Sequence, residues 1–441
     1  MSSRPIKLGA FLHGFGHHQA GWRHPQTDIA QEFSFAHYAR LAQTAERGFF
    51  DMVFLADSTG IRDWDLDALS HTARAAVFEP VTLLAALSVV TKHVGLVATA
   101  STSYNEPYTI ARKFASIDML SEGRAGWNLV TSTTESEAMN FHLDRQTPHG
   151  DRYQRASEFA DVVMGLWDSW APDAFPRDKA SGRYFDPKGL RFLHHRGAHF
   201  GVRGPLNAPR SVQGRPIIVQ AGSSEDGKAL AARTADVVFT AQPTLAAAST
   251  FYADLKCRMA QHGRTPDTLK IMPGLLTIVG ATEAEARQKF ADLQGLIHPS
   301  VGIAQLSELL GRFDLSPYPV DGPLPEIPET TGGQSRRQVL VDMARRENLS
   351  IRQLYERTAA ARGFLMAIGT ASQIADTLEQ WVDEDGADGF NLMPPVMPGD
   401  LDDFVDQVVP ELQRRGRVRR EYEGTTLRQN LGLALPASAH D

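Results

Sequence analysis

Polar side chains follow several short apolar runs of this sequence, at the point where each run ends. Asp57 follows one such run, Ser103 comes shortly after the next, and Asn128 lies within a third. The set is rich in hydroxyls and poor in carboxylates. A retaining glycosidase needs two paired carboxylates, and a metallohydrolase needs clustered histidines and aspartates. Neither collection is evident among these residues.

A more specific feature is the segment 217–228, which joins an apolar run, a glycine turn, two serines and a helical stretch. The free N–H groups at a helix start, the helix dipole and the hydroxyls of Ser223 and Ser224 together form an anion site suited to a phosphate. A simple helix cap, with Ser223 paired to Asp226 as in a capping box, needs the same residue types. On the residues alone, both interpretations stay open.

The histidines could in principle bind a metal, because His13, His17 and His18 are close together and His195 and His199 are four residues apart. Both groups lie in glycine-containing irregular segments, where a shared helical face is not expected, and no H-E-x-x-H motif is present. We therefore predict hydrogen-bonding histidines and no metal site. The sequence also lacks a complete dinucleotide fingerprint, a phosphate-binding P-loop and a G-x-S-x-G motif.

Composition excludes other classes of function. The 441 residues include 45 Lys and Arg against 52 Asp and Glu, a net charge of −7, which argues against general affinity for nucleic acid or anionic membranes. The single cysteine, Cys257, excludes an intrachain disulfide and a cysteine-rich metal site. Because no apolar run reaches the ~18 residues of a spanning helix and no signal peptide is evident, we expect a cytoplasmic protein.

The elements that must position these residues alternate regularly, because short runs rich in Val, Ile and Phe are followed by longer amphipathic stretches. Strands are predicted at 6–12, 52–56, 94–100, 125–131, 217–220, 237–240, 271–279 and 390–393. Helices are predicted at 35–47, 80–91, 107–120, 153–170, 225–233, 245–262, 283–296 and 401–414. Eight strand–helix units favour an α/β fold of the closed (β/α)8 TIM-barrel type, although an open sheet would have the same local pattern. In a barrel the strand ends meet at one face, which would bring the polar residues together.

Two segments do not fit the repeat, and we interpret them as insertions into a single domain spanning 1–441. The first, at about 170–213, precedes the fifth strand, and the second, at about 302–363, precedes the eighth strand and contains five prolines followed by a glycine pair. The tail 414–441 is a C-terminal extension. Long irregular segments of this kind are usually lids or packing elements.

Several motifs give the chain a family resemblance that extends from about residue 6 to residue 433. These motifs are Phe54-Leu-Ala-Asp57, Ser101-Thr-Ser-Tyr-Asn-Glu-Pro-Tyr108, Gly123-Arg-Ala-Gly-Trp-Asn-Leu-Val-Thr-Ser132, His149-Gly-Asp-Arg-Tyr153 and Val219-Gln-Ala-Gly-Ser-Ser224. With them the chain resembles the bacterial-luciferase-like, flavin-dependent monooxygenases, in the branch of nitrilotriacetate and EDTA monooxygenase component A, dibenzothiophene-sulfone monooxygenase and pristinamycin synthase.

The resemblance implies a TIM-barrel enzyme that uses O2 and reduced FMN (FMNH2), delivered by a separate NAD(P)H:flavin reductase, and that forms a homodimer or homotetramer. Asp57 and Asn128 would be catalytic, beside the isoalloxazine ring. Ser103 stands where many relatives have threonine, which keeps the hydroxyl. By motif position, the flavin-binding residues would be Asp57, Ser103, Asn128, His149, Tyr153, Ser223 and Ser224.

The resemblance also suggests a substrate class, namely a small anionic amine such as an aminopolycarboxylate. A cationic pocket would suit it, and the candidate residues are Arg23, His24, Arg62, Arg336 and Arg337. A neutral sulfur or aromatic substrate is the alternative, with Trp64, Phe78, Leu315 and Tyr318 as its candidate lining. A flavin-cleaving relative and a barrel hydrolase without flavin are further alternatives. The 302–363 segment could be a water-excluding lid or a structural cover.

Overall fold

The chain forms a closed barrel of parallel strands. The computed structural model describes residues 4–61, 65–327, 334–359, 363–438 and 440, and within these ranges eight strands pair in parallel around the barrel. The barrel strands are β1 (Lys7–Phe11), β2 (Met52–Leu55), β3 (Gly95–Ser101), β4 (Ala125–Val130), β7 (Ile217–Ala221), β8 (Val237–Thr240), β9 (Lys270–Val279) and β11 (Gly389–Leu392). β11 pairs with both β1 and β9, which closes the barrel. The predicted closed barrel is confirmed, and the open sheet is excluded.

Two elements near the second insertion were not predicted. Strand β10 (Leu365–Gly369) pairs in parallel with the second half of β9, and helix α13 (Ala371–Asp383) follows it. β10 finds a partner because β9 has ten residues and β11 pairs with only two of them, Gly274 and Leu275. The run of five residues in β10 is short and follows an irregular segment, so its sequence pattern alone did not mark it as a strand.

The predicted helices are present, with small changes of boundary. The helix predicted at 153–170 begins at His149 and ends at Trp167, and the helix predicted at 401–414 contains a π-helical stretch, Phe404–Val408. Besides α13, the α-helices of the described residues are α1 (Phe35–Arg47), α2 (Leu66–Ser70), α3 (Pro80–Ser88), α4 (Pro107–Leu120), α5 (Glu135–Met139), α6 (His149–Trp167), α7 (Glu225–Thr234), α8 (Leu245–Met259), α9 (Glu283–Gly295), α10 (Pro299–Leu309), α11 (Gln334–Glu347), α12 (Ile351–Ala359), α14 (Gly399–Asp403), α15 (Val409–Arg414) and α16 (Leu427–Asn430).

The alternation of side chains along the strands divides the core into two parts. Val53 and Leu55 of β2 point outward and pack with buried residues of the surrounding helices, such as Leu84 of α3. Phe54, between them, points into the barrel and packs in a separate cluster with residues such as Val97. Because both faces of each strand are buried, the strands are continuous apolar runs, as expected for a parallel sheet.

The two insertions have different structures. The first contains a short hairpin of β5 (His195–Arg196) and β6 (Gly201–Val202). The second contains helices that form their own small hydrophobic cluster, in which Leu310, Leu315 and Tyr355 are buried. At Gly302, a Cβ would lie 2.5 Å from the Tyr355 ring, so α10 and α12 pack too closely there for any side chain.

The C-terminal extension closes the amino end of the barrel. Leu427 and Leu431 of the extension pack inside the barrel against Met52 and Val97. The fit is close, because a Cβ at Gly95, at the start of β3, would lie 2.3 Å from the Leu427 side chain. Buried ion pairs hold the extension in place, including the pair of Arg428 with Asp236 at 3.1 Å and the pair of Arg419 with Asp51. The carboxyl ends of the strands are therefore the end at which a ligand can enter. Among the described helices, none combines the length and apolar character of a membrane span.

Candidate active site

A cleft of about 390 Å³ lies at the carboxyl ends of β4 and β7. Its wall is formed by the residues after β2, by the turn 131–134 after β4 with Glu137 of α5, by the turn after β7, by the second turn of α6 and by the first two turns of α7. Four of the seven residues predicted to bind flavin line this cleft, namely Asp57, Tyr153, Ser223 and Ser224. The structure therefore brings together residues that are up to 167 positions apart in the sequence.

The cap of α7 is formed by Ser224 and not by a pairing of Ser223 with Asp226. The Ser224 hydroxyl accepts a hydrogen bond from the backbone N–H of Gly227 at 3.1 Å. That bond uses the hydroxyl as an acceptor, so its proton stays available for a ligand. Ser223 is exposed at the wall of the cleft. The cap predicted at Ser223 is therefore wrong, because Ser224 forms it, and Ser223 can serve a ligand without disturbing the helix.

The first turns of α6 and α7 lie side by side at this end of the cleft. His149 Nδ1 lies 3.1 Å from Asp226 Oδ2, which ties the two helix starts together. Tyr153, in the second turn of α6, reaches toward α7, since a Cβ placed at Gly227 would be 3.1 Å from the Tyr153 hydroxyl. Each helix start carries partial positive charge and free N–H groups. Two converging helix starts with added hydroxyls form a well-suited site for a phosphate.

Asp57 lies at the opposite side of the cleft, after β2. Burial, together with the nearby carboxylates of Glu79 and Glu137, raises the pKa of Asp57 to about 6. A hydrogen bond from the backbone of Ser58 opposes this shift in part. Asp57 therefore changes its protonation state closer to neutral pH than an ordinary aspartate does.

Three of the seven predicted residues are not part of the cleft wall, namely His149, which lies at the start of α6, Asn128 and Ser103. Asn128 is 3% exposed. Its Nδ2 donates to Thr99 Oγ1 at 2.8 Å, while its Oδ1 has no hydrogen-bond partner. Ser103 donates its hydroxyl proton to the backbone carbonyl of Thr131 at 2.7 Å. Ser103 thus supports the turn after β4, and Asn128 leaves a buried amide oxygen one residue from the cleft-lining Leu129.

Sequence reasoning missed a second group of polar residues at the barrel mouth. Arg74 donates from Nη2 to the carbonyl of His17 at 2.8 Å and from Nε to Gln19 Oε1 at 3.2 Å. Its Nη1 lies 3.2 Å from His13 Nε2. Arg74 lies in the irregular segment between α2 and α3, where no periodic pattern marks its position. The one signal in the sequence was its positive charge, since a cationic pocket was predicted in this region.

Two of the residues predicted to form a cationic pocket, Arg23 and His24, make hydrogen bonds to neighbouring backbone groups. Arg23 is exposed and donates to the carbonyl of Leu296 at 2.5 Å, and His24 Nδ1 accepts from the backbone N–H of Gln26 at 3.3 Å. Two further predictions, Arg62 and the aromatic Trp64, lie outside the described residues. The side chains of Arg336 and Arg337 also lie outside the described part of the chain.

Aromatic residues line the same mouth on the side of β1 and β8. The rings of Phe239 and Phe364 stack with centroids 5.6 Å apart, and Phe11 lies 5.8 Å from Phe239. All three are partly exposed. Of the aromatic or apolar residues predicted for this role, Leu315 is buried inside the second insertion, Tyr318 stacks on Phe313, and Phe78 packs against Tyr38.

The histidines have hydrogen-bonding positions. His195 Nε2 lies 2.9 Å from Glu158 Oε1, which fixes the β5–β6 hairpin on α6. His17 Nε2 lies 2.8 Å from the carbonyl of Phe11. Within the ranges that the structure describes, no three His, Cys, Asp or Glu side chains are grouped as a metal ion would require.

The chain matches a known protein family over most of its length. The sequence profile of the family described as "Luciferase-like monooxygenase" matches residues 12–389. The chain belongs to this family. It is therefore a flavin-dependent monooxygenase of the luciferase-like group, and the predicted family membership is confirmed.

Individual relatives cover almost the whole chain. Nitrilotriacetate monooxygenase component A from Aminobacter aminovorans is 52% identical over 99% of this chain and 98% of its own length. N-acetyl-S-(2-succino)cysteine monooxygenase from Bacillus subtilis is 51% identical over 99% of this chain and 98% of its own length. The crystal structure of long-chain alkane monooxygenase has a TM-score of 0.85 and 34% identity, and the match covers 98% of this chain and 96% of that one.

Proposed function

We propose that this protein is the oxygenating component of a two-component monooxygenase that uses O2 and reduced FMN supplied by an NAD(P)H:flavin reductase. The convergence of two helix starts with Ser223, Ser224 and Tyr153 carries this proposal, because it offers a phosphate site at the mouth of a flavin-family barrel. The lack of a dinucleotide fingerprint in the sequence supports a separate reductase. The single cysteine is consistent with a cytoplasmic enzyme, which we propose acts as a homodimer or homotetramer.

The residues of the cleft fit FMN and divide into two groups. Ser223, Ser224, Tyr153 and His149 would hold the phosphate. The hydroxyls donate hydrogen bonds, and His149 holds the Asp226 carboxylate to the start of α6 through its ring Nδ1, at 3.1 Å. When bound, reduced flavin supplies the electrons with which O2 is split, one oxygen atom entering the substrate and the other forming water.

The second group would meet the flavin ring. Asp57, with its pKa of about 6, can hold or release a proton at its carboxyl oxygens beside the ring. The unpaired Oδ1 of Asn128 is a buried acceptor in the same region, and an unsatisfied buried acceptor is costly unless a ligand pairs with it. Ser103 would act indirectly, by holding the carbonyl of Thr131. The apolar barrel beneath these groups excludes water from the reaction.

For the substrate, we propose a small aminopolycarboxylate such as nitrilotriacetate or EDTA, cleaved oxidatively at a C–N bond. The 52% identity to nitrilotriacetate monooxygenase component A favours this class. Arg74, held at the barrel mouth by Gln19 and the carbonyl of His17, supplies a cation suited to a carboxylate.

An organosulfur substrate is the second candidate. The relative named for N-acetyl-S-(2-succino)cysteine is 51% identical. The aromatic residues Phe11, Phe239 and Phe364 offer an apolar surface that the sulfur atom of such a substrate could contact. Both relatives are named for compounds that carry several carboxylates, so a cation at the mouth suits either class.

A coupled assay tests these proposals. The purified chain is supplied with reduced FMN by any flavin reductase, and each candidate substrate is added in turn. Glyoxylate release from nitrilotriacetate or EDTA would support C–N cleavage. Sulfite or aldehyde release from a sulfur compound, with no turnover of either chelator, would support the second candidate instead. Loss of the flavin itself would show a flavin-cleaving enzyme, and turnover without flavin would show a hydrolase.

A further inference from the structure

The turn after β4 holds a residue in an unusual backbone conformation at the wall of the cleft. Ser132 has a φ of +47°, in the left-handed region, and is only 8% exposed. Residues other than glycine rarely adopt this conformation, and those that do cluster at functional sites where their surroundings enforce it. Ser132 and its neighbours Thr131, Thr133 and Thr134 all line the cleft.

Glu137 holds this turn from one side. Its Oε1 accepts from the Ser132 hydroxyl at 3.0 Å and from the backbone N–H of Thr59 at 3.3 Å. Its Oε2 accepts from the backbone N–H groups of Thr133 and Thr134, both at 3.2 Å, and from the Thr134 hydroxyl at 2.9 Å. Burial alone would raise the pKa of Glu137, but the donors at Thr134, Thr133 and Ser132 outweigh it and hold that pKa below its usual range. The side chain is therefore ionised at neutral pH.

Two other contacts hold Ser132 from the opposite side. Arg152, in the first turn of α6, donates from Nη1 to the Ser132 carbonyl. The Ser101 hydroxyl, at the end of β3, lies 2.9 Å from the Ser132 hydroxyl, and it accepts from the backbone N–H of Ser103 at 3.1 Å. The strained residue is thus fixed at its carbonyl and at its hydroxyl, and four elements of the barrel mouth meet at it.

We propose that Glu137 is a positioning residue for the flavin, which acts through Ser132 and the turn 131–134. Glu137 also lines the cleft, but five donors already surround its carboxylate, which has about four lone-pair sites, so we assign it to the turn and not to direct contact with the ligand. Its function is to enforce the left-handed turn that shapes the cleft wall. This inference rests on the proposed function, because it assumes that reduced FMN occupies the cleft.

Substitutions of Glu137 and Ser132, made singly and together, test this mechanism. Glu137→Gln removes the charge and turns one acceptor into a donor, so the turn should relax and the KM for reduced FMN should rise roughly tenfold, while kcat at saturating flavin changes little. Glycine adopts a φ of +47° without strain. Adding Ser132→Gly to Glu137→Gln should therefore restore most of the lost affinity. Glu135→Gln, which removes a charge from an exposed position in the first turn of the same helix, is the matched control and should leave the KM unchanged.

A second comparison does not depend on the folding of the Glu137 variant. Ser132→Ala loses the hydroxyl clamp but keeps the steric cost of the left-handed turn, so it should weaken anaerobic binding of reduced FMN, whereas Ser132→Gly should not. Equal binding by Ser132→Ala and Ser132→Gly would overturn the proposal. So would a Glu137→Gln enzyme that binds like the wild type, or a double variant with no recovery, which would mean that Glu137 contacts the flavin itself. If the wild type and Glu135→Gln fail to bind reduced FMN at all, it is the proposed function that is wrong.

Discussion

Replacement of Ser223 by alanine separates flavin binding from helix capping. Ser224 caps α7 through Gly227, so Ser223→Ala leaves the cap intact. A charge-assisted hydrogen bond to a phosphate is worth about 1.5–3 kcal/mol. At about 1.4 kcal/mol per factor of ten, the loss of that bond should raise the Kd for reduced FMN by between about tenfold and about a hundredfold. Riboflavin, which has no phosphate, should bind almost as before.

Replacement of Ser224 should give a different result, because its hydroxyl has two functions. Ser224→Ala should lose a similar factor in FMN affinity and, in addition, about 1 kcal/mol of protein stability from the lost cap. Ser223→Ala should have no such stability cost. The assay is an anaerobic fluorescence titration with reduced FMN and reduced riboflavin, together with denaturant unfolding of each variant.

Riboflavin provides the decisive comparison for both serines. If FMN and riboflavin lose affinity equally in Ser223→Ala and Ser224→Ala, these serines shape the cleft but do not bind a phosphate. If Ser223→Ala destabilises the protein as much as Ser224→Ala does, the assignment of the cap to Ser224 is wrong.

Three further predictions concern acid–base behaviour, stability and the source of electrons. Because the pKa of Asp57 is raised, ionisation of its carboxyl destabilises the fold, so the wild type should lose stability relative to Asp57→Asn as the pH rises from about 4, the ordinary pKa of the group, to about 6. Urea unfolding of both proteins across that window measures this, and a constant difference in stability would contradict it. Arg428→Ala should lower the free energy of unfolding by about 3 kcal/mol, because the buried Asp236 loses its main partner and keeps only Arg215, at 3.6 Å. It should not alter the Kd for reduced FMN, measured while the variant is folded. The chain alone should not oxidise NADH when FMN is added, and robust NADH oxidation without a reductase would disprove the two-component proposal.

Much of the fold could be predicted from local sequence. Each barrel strand is buried on both faces, so it reads as an uninterrupted apolar run, and the runs 52–56 and 217–220 lie within one residue of the observed strands. The helices α1 and α4 were predicted with their observed boundaries, because the apolar face of each helix and the proline that opens α4 are local features. The barrel rule then placed Asp57 and Ser223 at one face before any contact was known.

Other features were decided only by tertiary contacts. β10 is a strand because the long strand β9 offers it unpaired backbone groups, and no property of the five residues themselves dictates that pairing. The hydroxyl of Ser103 was predicted to bind flavin, but whether it faces a ligand or the carbonyl of Thr131 depends on how β3 and β4 align. Register and partner choice are relations between distant segments, and a local pattern does not contain them.

The turn after β4 shows the same division most clearly. The sequence alone supplies an ionisable side chain at Glu137 and a run of hydroxyls before it, and Thr134 with Glu137 forms a capping box from residues three apart. The left-handed conformation of Ser132 is different, because it needs Arg152 from α6, Ser101 from β3 and Glu137 from α5 to hold it at once. A strained backbone persists only where the surrounding fold supplies more contacts than the strain costs, and those contacts exist only once the barrel has closed.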